Sequence, residues 1–292
     1  LGRDLIDNAD FPKTSCQTAN MELIWIVMKI AFVQIYPEFG QIEKNVNRAI
    51  AFMQSMPADI YVLPELFATG YVFESRAELM SLAEPAESGF TAVTLGRFAR
   101  ANNAGIVYGF PEKAPDGLFN SCAFVDGINQ PVVYRKLHLF YKEKQLFDPG
   151  NARLKIVHFR EARLGMMICF DWIFPEVARR LALMGAQVIC HPVNLVMPYC
   201  QNAMTTRSIE NRVFTITANR IGVENRGGLE CRFTGQSQVT DCKGNVLYCA
   251  SSDKEETFIA DINVVDADDK NINELNNIWE DRRIDFLEPG DR

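Results

Sequence analysis

Apolar positions along this chain follow two different periods. Residues 29–35 (KIAFVQI), 59–63, 105–110 and 164–168 are short apolar runs bounded by glycine, proline or charge, each long enough for one buried strand. Between the first two the spacing changes to three and four. Residues 40–56 carry Ile42, Val46, Ala49, Ile50 and Met53 on one side, which predicts an amphipathic helix, and residues 89–103 predict a second. Residues 120–125 and 132–134 are expected to pair around the Asp126–Gly127 turn. Residues 134–151 are polar, end in Asp-Pro-Gly and read as a loop.

The segment 163–194 (RLGMMICFDWIFPEVARRLALMGAQVICHPVN) organises the rest. Its apolar run reaches Cys169. Pro175 then opens a helix with Val177, Ala178, Leu181, Ala182 and Met184 at helical spacing, Gly185 closes it, and residues 187–190 read as the next strand. Helix 202–212 and strand 215–219 follow. Strands at 235–240, 246–249 and 257–262 come next, the first two split by the turn Lys243-Gly244-Asn245, and a last helix is expected at 270–279. DIYVLPE and AQVICHP are strands that end in proline at comparable places. They predict a pseudo-symmetric α/β sandwich, two sheets face to face with helices outside.

Composition narrows the class. Of 292 residues 48% are hydrophobic and 23% charged, as in ordinary globular proteins. The net charge of −7 without a basic block argues against nucleic acid as a partner. The longest apolar run near the start is too short to span a bilayer, so no membrane is expected. Eight cysteines without a CxxC pair read as reduced, cytoplasmic thiols, and His138, His158 and His191 stand too far apart for a metal motif. Residues 1–27 lack a clear period. They are expected to form an N-terminal extension outside the catalytic fold, with residues 28–292 a single domain and its tail.

Three polar groups emerge from apolar strands or follow them directly: Glu65, Lys136 and Cys169. Cys169 lies at the carboxyl end of a strand on the turn into a helix, where open α/β folds present reactive groups. A thiol needs a base, because the thiolate is the nucleophile; a carboxylate serves if burial raises its pKa. A lysine beside both balances their charge and can donate to an oxyanion when the sulfur adds to a C=O or C≡N carbon. The backbone N–H of Phe170 is a second candidate donor. Alone, each residue has a plain structural role: a packed thiol, a capping carboxylate, a solvated loop charge. His138 reads as a loop hydrogen-bonding residue, Arg207, Glu210 and Asn211 as a structural network, and Cys190, Cys200, Cys231, Cys242 and Cys249 as packing thiols.

The blocks LPELFATGY, YRKLHLF and GMMICFDWIFPE resemble the three signature blocks of the nitrilase superfamily of carbon–nitrogen hydrolases. KEKQLFDPG, HPVNLV and RSIENRVFTITANRIG look familial too. The likeness runs over about residues 29–286 and points to the branch with archaeal-type aliphatic nitrilases and N-carbamoylputrescine-type amidases. It implies a four-layer αββα sandwich, paired into a homodimer or higher homo-oligomer, with no cofactor and no metal. It implies Glu65 as general base, Lys136 as transition-state stabiliser, Cys169 as nucleophile and Glu143 as the second glutamate, which positions the lysine. Phe67, Tyr71, Trp172 and Asn194 are expected to line the pocket around a small-molecule substrate. Carbamoyl amino acid amidases tend to carry arginines after the nucleophile, and this chain has Trp172, Ile173 and Phe174 there. The implied reaction is hydrolysis of a small amide, carbamoyl compound or nitrile through a thioester, amides being somewhat favoured over nitriles. Acyl transfer and a non-catalytic interaction role are the alternatives of another class.

Overall fold

The computed structural model describes residues 27–286. Strand β1 (Val27–Gln34) leads through helix α1 (Ile42–Ser55) to β2 (Ile60–Val62). Helices α2 (Arg76–Leu82) and α3 (Phe90–Asn102) precede β3 (Gly105–Ala114), β4 (Gly117–Val125) and β5 (Val132–Arg135). A single helical turn, α4 (Glu143–Leu146), separates them from β6 (Ile156–Phe159) and β7 (Ala162–Met166). A 3-10 turn (Cys169–Ile173) runs into α5 (Pro175–Leu183), then β8 (Val188–Pro192), α6 (Cys200–Asn211) and β9 (Phe214–Ala218). The chain closes with the hairpin β10 (Ile221–Arg226) and β11 (Leu229–Thr234), and with β12 (Gln238–Thr240), β13 (Val246–Cys249) and β14 (Glu256–Asn263).

Two six-stranded mixed sheets result, with orders β14-β1-β2-β3-β4-β5 and β13-β12-β9-β8-β7-β6. In each, three parallel strands are flanked by antiparallel ones. Alternation along β1 shows the layering. Met28, Ile30 and Phe32 join the core shared with Leu164, Val188 and Ile216 of the second sheet. Ala31 and Val33 face the other way, against Val46, Ala49 and Met53 of α1 and Leu95 and Phe98 of α3. Helices α5 and α6 cover the outer face of the second sheet, with Leu181 lying over Gly165 of β7. The order of layers is α-β-β-α, as expected.

The helix expected at 270–279 does not form. Asparagine and aspartate side chains take the backbone N–H groups that a helix would use: Asn273 Oδ1 accepts from Leu275 and Asn276, Asn277 Oδ1 from Trp279, and Asp269 Oδ1 from Asn271. The sequence reading also lacked α2, α4, β6 and the β10–β11 hairpin. Residues 1–26, most of the expected extension, lie outside the described residues, and Val27 belongs to β1.

Candidate active site

The polar groups singled out above converge where strand ends of the two sheets meet. Glu65 leaves β2 through Leu63 and Pro64, and Leu66 follows with a positive φ of 49°, so the chain turns sharply beneath the carboxylate. The turn is closed from below by Gly109 of β3. A Cβ there would lie 2.5 Å from the Glu65 Cα and 2.8 Å from the Leu66 nitrogen. Lys136 directly follows β5. Its N–H donates to the Asn120 carbonyl at 2.8 Å, and its own carbonyl accepts from Gly150. A Cβ on Gly150 would meet the Lys136 oxygen at 2.7 Å. Backbone contacts thus aim both side chains.

The Lys136 ammonium lies 2.7 Å from Glu65 Oε1 and 2.9 and 2.8 Å from the two oxygens of Glu143, all with side chains 0–3% exposed. Asn120 Nδ2 donates to the same Glu65 oxygen at 2.8 Å. Glu65 Oε2 is buried without a hydrogen-bond partner. Glu143 opens α4 and also accepts from the Phe140 N–H at 3.0 Å and the Tyr71 hydroxyl at 2.8 Å. Burial raises the pKa of Glu65, with the Lys136 charge working against it and Glu143 adding to it. Burial by itself disfavours the Lys136 ammonium, but the carboxylates of Glu143 and Glu65 outweigh it and hold the lysine well above its ordinary range.

Cys169 begins the 3-10 turn after β7, with φ at 40°, a left-handed conformation that costs a non-glycine residue on the order of 1–2 kcal/mol. The surroundings hold that conformation from two sides. Asp171, wholly buried, accepts from the Ile168 N–H at 2.9 Å just before the cysteine. His191 of β8 donates from Nε2 to the Cys169 carbonyl at 3.0 Å. The backbone N–H of Asn194 faces the Cys169 sulfur and favours its thiolate form. Burial pushes the thiol well above its usual pKa, reinforced by Glu65 and opposed by Lys136, so the resting group is the neutral thiol.

The other expected residues divide. Trp172 and Asn194 line a recess of about 10 Å³ together with Cys169, Phe140 and Phe170. Both polar atoms of the Asn194 side chain are buried there without partners. Tyr71 lines the adjoining cleft of about 340 Å³, which shares Phe140 and Val196 with the recess and has Glu143 in its wall. Phe67 sits elsewhere: its ring is fully buried on the helix side of the first sheet, edge-on to Tyr108, because the tight turn at Leu66 sends the two side chains to opposite sides. His138 donates from Nδ1 to Asp171 at 2.8 Å and stacks on Phe174. Arg207 pairs with Glu210 and donates to the Trp172 carbonyl. Cys231, read as a packing thiol, lines the cleft, and Cys249 is exposed. The sequence reading missed Asn120, Asp171 and His191 as parts of the site. Each is one polar residue inside an apolar strand or turn, and only tertiary contact shows its use. Among the described residues no group of three or more metal-ligating side chains comes together.

Comparison with known proteins identifies the family. The Carbon-nitrogen hydrolase family model matches residues 29–270. A nitrilase of Pyrococcus abyssi is 43% identical over 263 residues, covering 89% of this chain and 99% of the relative. An (R)-stereoselective amidase of a Pseudomonas species is 33% identical over 232 residues, covering 78% and 82%. Among solved structures, a carbon-nitrogen hydrolase from Helicobacter pylori superposes with a TM-score of 0.79 at 25% identity, covering 89% of this chain and 96% of its own. A match that runs through both sheets, from β1 to beyond β14, makes this chain a member of the carbon-nitrogen hydrolase family, a hydrolase on the nitrilase-type α/β sandwich.

Proposed function

We propose that the protein hydrolyses the carbon–nitrogen bond of a small amide, releasing ammonia or an amine and a carboxylic acid through a thioester on Cys169. One observation carries this reading. Glu65 has one oxygen engaged by Lys136 and Asn120, while the other is buried, unpartnered and in the same enclosed site as the thiol.

In the first step Glu65 Oε2 takes the Cys169 proton as the sulfur adds to the carbonyl carbon. Burial raises both pKa values, so the proton moves between two groups shifted in the same direction. The oxyanion is received by the Lys136 ammonium and the Phe170 N–H, whose orientation needs no reorganisation during reaction. Protonated Glu65 then delivers its proton to the leaving nitrogen, the C–N bond breaks and the thioester remains. Water enters, Glu65 takes its proton, and the tetrahedral adduct expels the sulfur, which recovers the proton as the acid departs. Glu143 keeps Lys136 in place throughout. The cleft, walled by Tyr71, Phe140, Phe147, Val196 and Leu229, suits a small substrate of mostly apolar surface.

A second reading is a nitrile substrate, favoured by the 43% identity to the Pyrococcus nitrilase. Here the sulfur adds to C≡N with the proton passing to nitrogen, water converts the thioimidate to a tetrahedral adduct, and ammonia leaves to give the same thioester. An ammonia-release screen of aliphatic amides, carbamoyl amines and nitriles, with Cys169→Ala as blank, decides between the two. Acid from amides alone supports the first reading; acid from nitriles supports the second. Ammonia release unchanged in Cys169→Ala would overturn both, and acyl products formed only with an added amine would make the protein an acyltransferase. Assembly as a homodimer and a cytoplasmic location belong to the same reading, and sedimentation tests the first of them.

A further inference from the structure

Behind the cleft wall at Tyr71 and Val72 lies a buried ion pair that the reaction itself does not use. Arg220, immediately before β10, is fully buried, pairs with Glu224 and lies over the Phe233 ring at 4.0 Å. Glu224 does more than neutralise it. Its Oε1 and Oε2 accept from the Tyr71 N–H at 3.2 and 3.0 Å, and Oε2 accepts from the Val72 N–H at 2.7 Å. The approach depends on Gly70, which has φ at 85° and leaves no room for a Cβ, since one would lie 2.9 Å from Glu224 Oε1. The same Tyr71 donates its hydroxyl to Glu143 at 2.8 Å, and Glu143 takes both its oxygens to Lys136.

We propose that the buried Arg220–Glu224 pair and Tyr71 are positioning residues for Glu143: the pair fixes the Tyr71 backbone, and the phenol fixes the carboxylate that holds Lys136. This rests on the roles of Glu143 and Lys136 in the reaction above. A role in stability alone would not call for these groups. Buried ion pairs are weak stabilisers, and a well-packed apolar pair would serve the fold as well. What charge supplies is direction: a carboxylate oriented by a guanidinium can hold two successive backbone N–H groups in one register. Burial, together with the Glu143 and Glu65 charges, raises the Tyr71 pKa well above its ordinary value, so the phenol stays a donor across the working range. Arg226 provides a contrast. It anchors the far end of the same strand to Glu78 at 2.7 Å, on the partly exposed side, and shares no partner with Tyr71.

The test uses the full chain and four variants: Tyr71→Phe, Glu224→Gln, the two together, and Arg226→Gln. On an amide turned over by the wild type, Tyr71→Phe is expected to lower kcat about 10- to 100-fold with KM within roughly threefold and the melting temperature held. Glu224→Gln should fall by a similar factor, and the double variant no further than the worse single one, because both act on one contact. Arg226→Gln should stay near wild type. A second readout needs no turnover: the rate at which iodoacetamide alkylates Cys169, followed by mass spectrometry, should shift in the same direction in Tyr71→Phe and Glu224→Gln and stay unchanged in Arg226→Gln. Full kcat and unchanged alkylation in Tyr71→Phe would overturn the proposal. So would losses that multiply in the double variant, or an Arg226→Gln effect as large as that of Glu224→Gln. If Glu224→Gln does not fold, Tyr71→Phe decides by itself. If no amide or nitrile is turned over but alkylation responds as described, the positioning role stands and the reading of the reaction falls.

Discussion

Asn120→Ala separates the tuning of Glu65, the proposed base, from its placement. Asn120 sits in β4, and its Nδ2 donates to Glu65 Oε1 at 2.8 Å in a site closed to solvent. Its backbone carbonyl separately holds the Lys136 N–H at 2.8 Å, a contact that survives the substitution. The side chain therefore bears on Glu65 alone, where its hydrogen bond favours the carboxylate and partly offsets burial. A hydrogen bond to a charged group contributes about 1.5–3 kcal/mol, so its removal makes the base form about 10- to 150-fold scarcer wherever Glu65 is mostly protonated. The sign follows from the direction of the shift. Glu65 titrates above the ordinary carboxylate range and, as the proposed base, must be ionised to accept the thiol proton, so activity is expected to fall as pH drops through its raised pKa. Losing the Asn120 donor raises that pKa further. In a kcat/KM profile, Asn120→Ala should lose about 10- to 150-fold on the acid limb, and the deficit should close at high pH, where both enzymes hold Glu65 ionised. A loss equal at every pH would mean that Asn120 serves placement only. An acid limb that does not move would remove Glu65 from the base role.

Further predictions address the frame around these groups. Gly109→Ala drives a methyl into the Glu65 backbone and should lower kcat by roughly 100-fold with every polar group retained, the cost of about 1 Å of misplacement; wild-type kcat would show that the loop yields freely. Lys136→Met strands two buried carboxylates and should destabilise the fold by about 3–5 kcal/mol in urea titration, the deficit narrowing as pH falls and Glu65 takes up a proton; equal stability at neutral pH would refute the charge balance. Burial pushes His191 down to a pKa of about 4, so between that pH and about 6.5 the unfolded chain binds a proton that the native chain does not. The linked stability rises with pH across that window by about 3 kcal/mol, and the difference between wild type and His191→Leu in denaturation at pH 4.5 and 7 should contain that slope. A constant difference would mean that His191 takes up its proton in the native state at the same pH as in the unfolded chain.

What the sequence made legible follows from which signals are local. Residues 40–56, 89–103 and 175–184 carry their helices in their spacing, and α1, α3 and α5 lie within a residue or two of expectation. Glu65, Lys136 and Cys169 stood out because each emerges from an apolar strand or directly follows one, whereas Glu143, inside a polar loop, came only from the family resemblance. The β10–β11 hairpin carries a turn signal in Gly227-Gly228, both with positive φ, but its flanking runs IGVENR and LECRFT are too charged to read as strands. Helix α2 had Ser75 as an N-cap, accepting from Glu78, but it buries only Leu79 and so shows no face. At 270–279 the apolar spacing was helical, and asparagine chemistry overrode it. Phe67 shows the limit of block reading, since one turn at Leu66 sends its ring to the opposite side of the sheet.

The placement of the site follows from the pseudo-symmetry of the sheets. Strands β1, β2 and β3 form a parallel triplet as β7, β8 and β9 do. Antiparallel β14 flanks β1 as β6 flanks β7, and β4 and β5 lie beyond β3 as β12 and β13 lie beyond β9. In this correspondence Glu65, after β2, answers to the segment at Asn194, after β8, and both bear on the sulfur. Cys169, three residues beyond β7, answers to Pro37, three beyond β1, which carries no reactive group. The halves are alike in frame and unlike in chemistry: carboxylates and cation come from one sheet, thiol and amide from the other. In the proposed mechanism neither half holds a complete proton path, so that reaction requires the two sheets to stay in register. Asp171 joins them. Its carboxylate accepts from Tyr134 of β5 at 2.7 Å and from His138 beyond it, on the side of Lys136, and from Ile168, on the side of Cys169. A buried carboxylate holding donors from both sheets cannot follow one without releasing the other, and this is what ties the distance between Cys169, the proposed nucleophile, and Lys136 to the packing of the core.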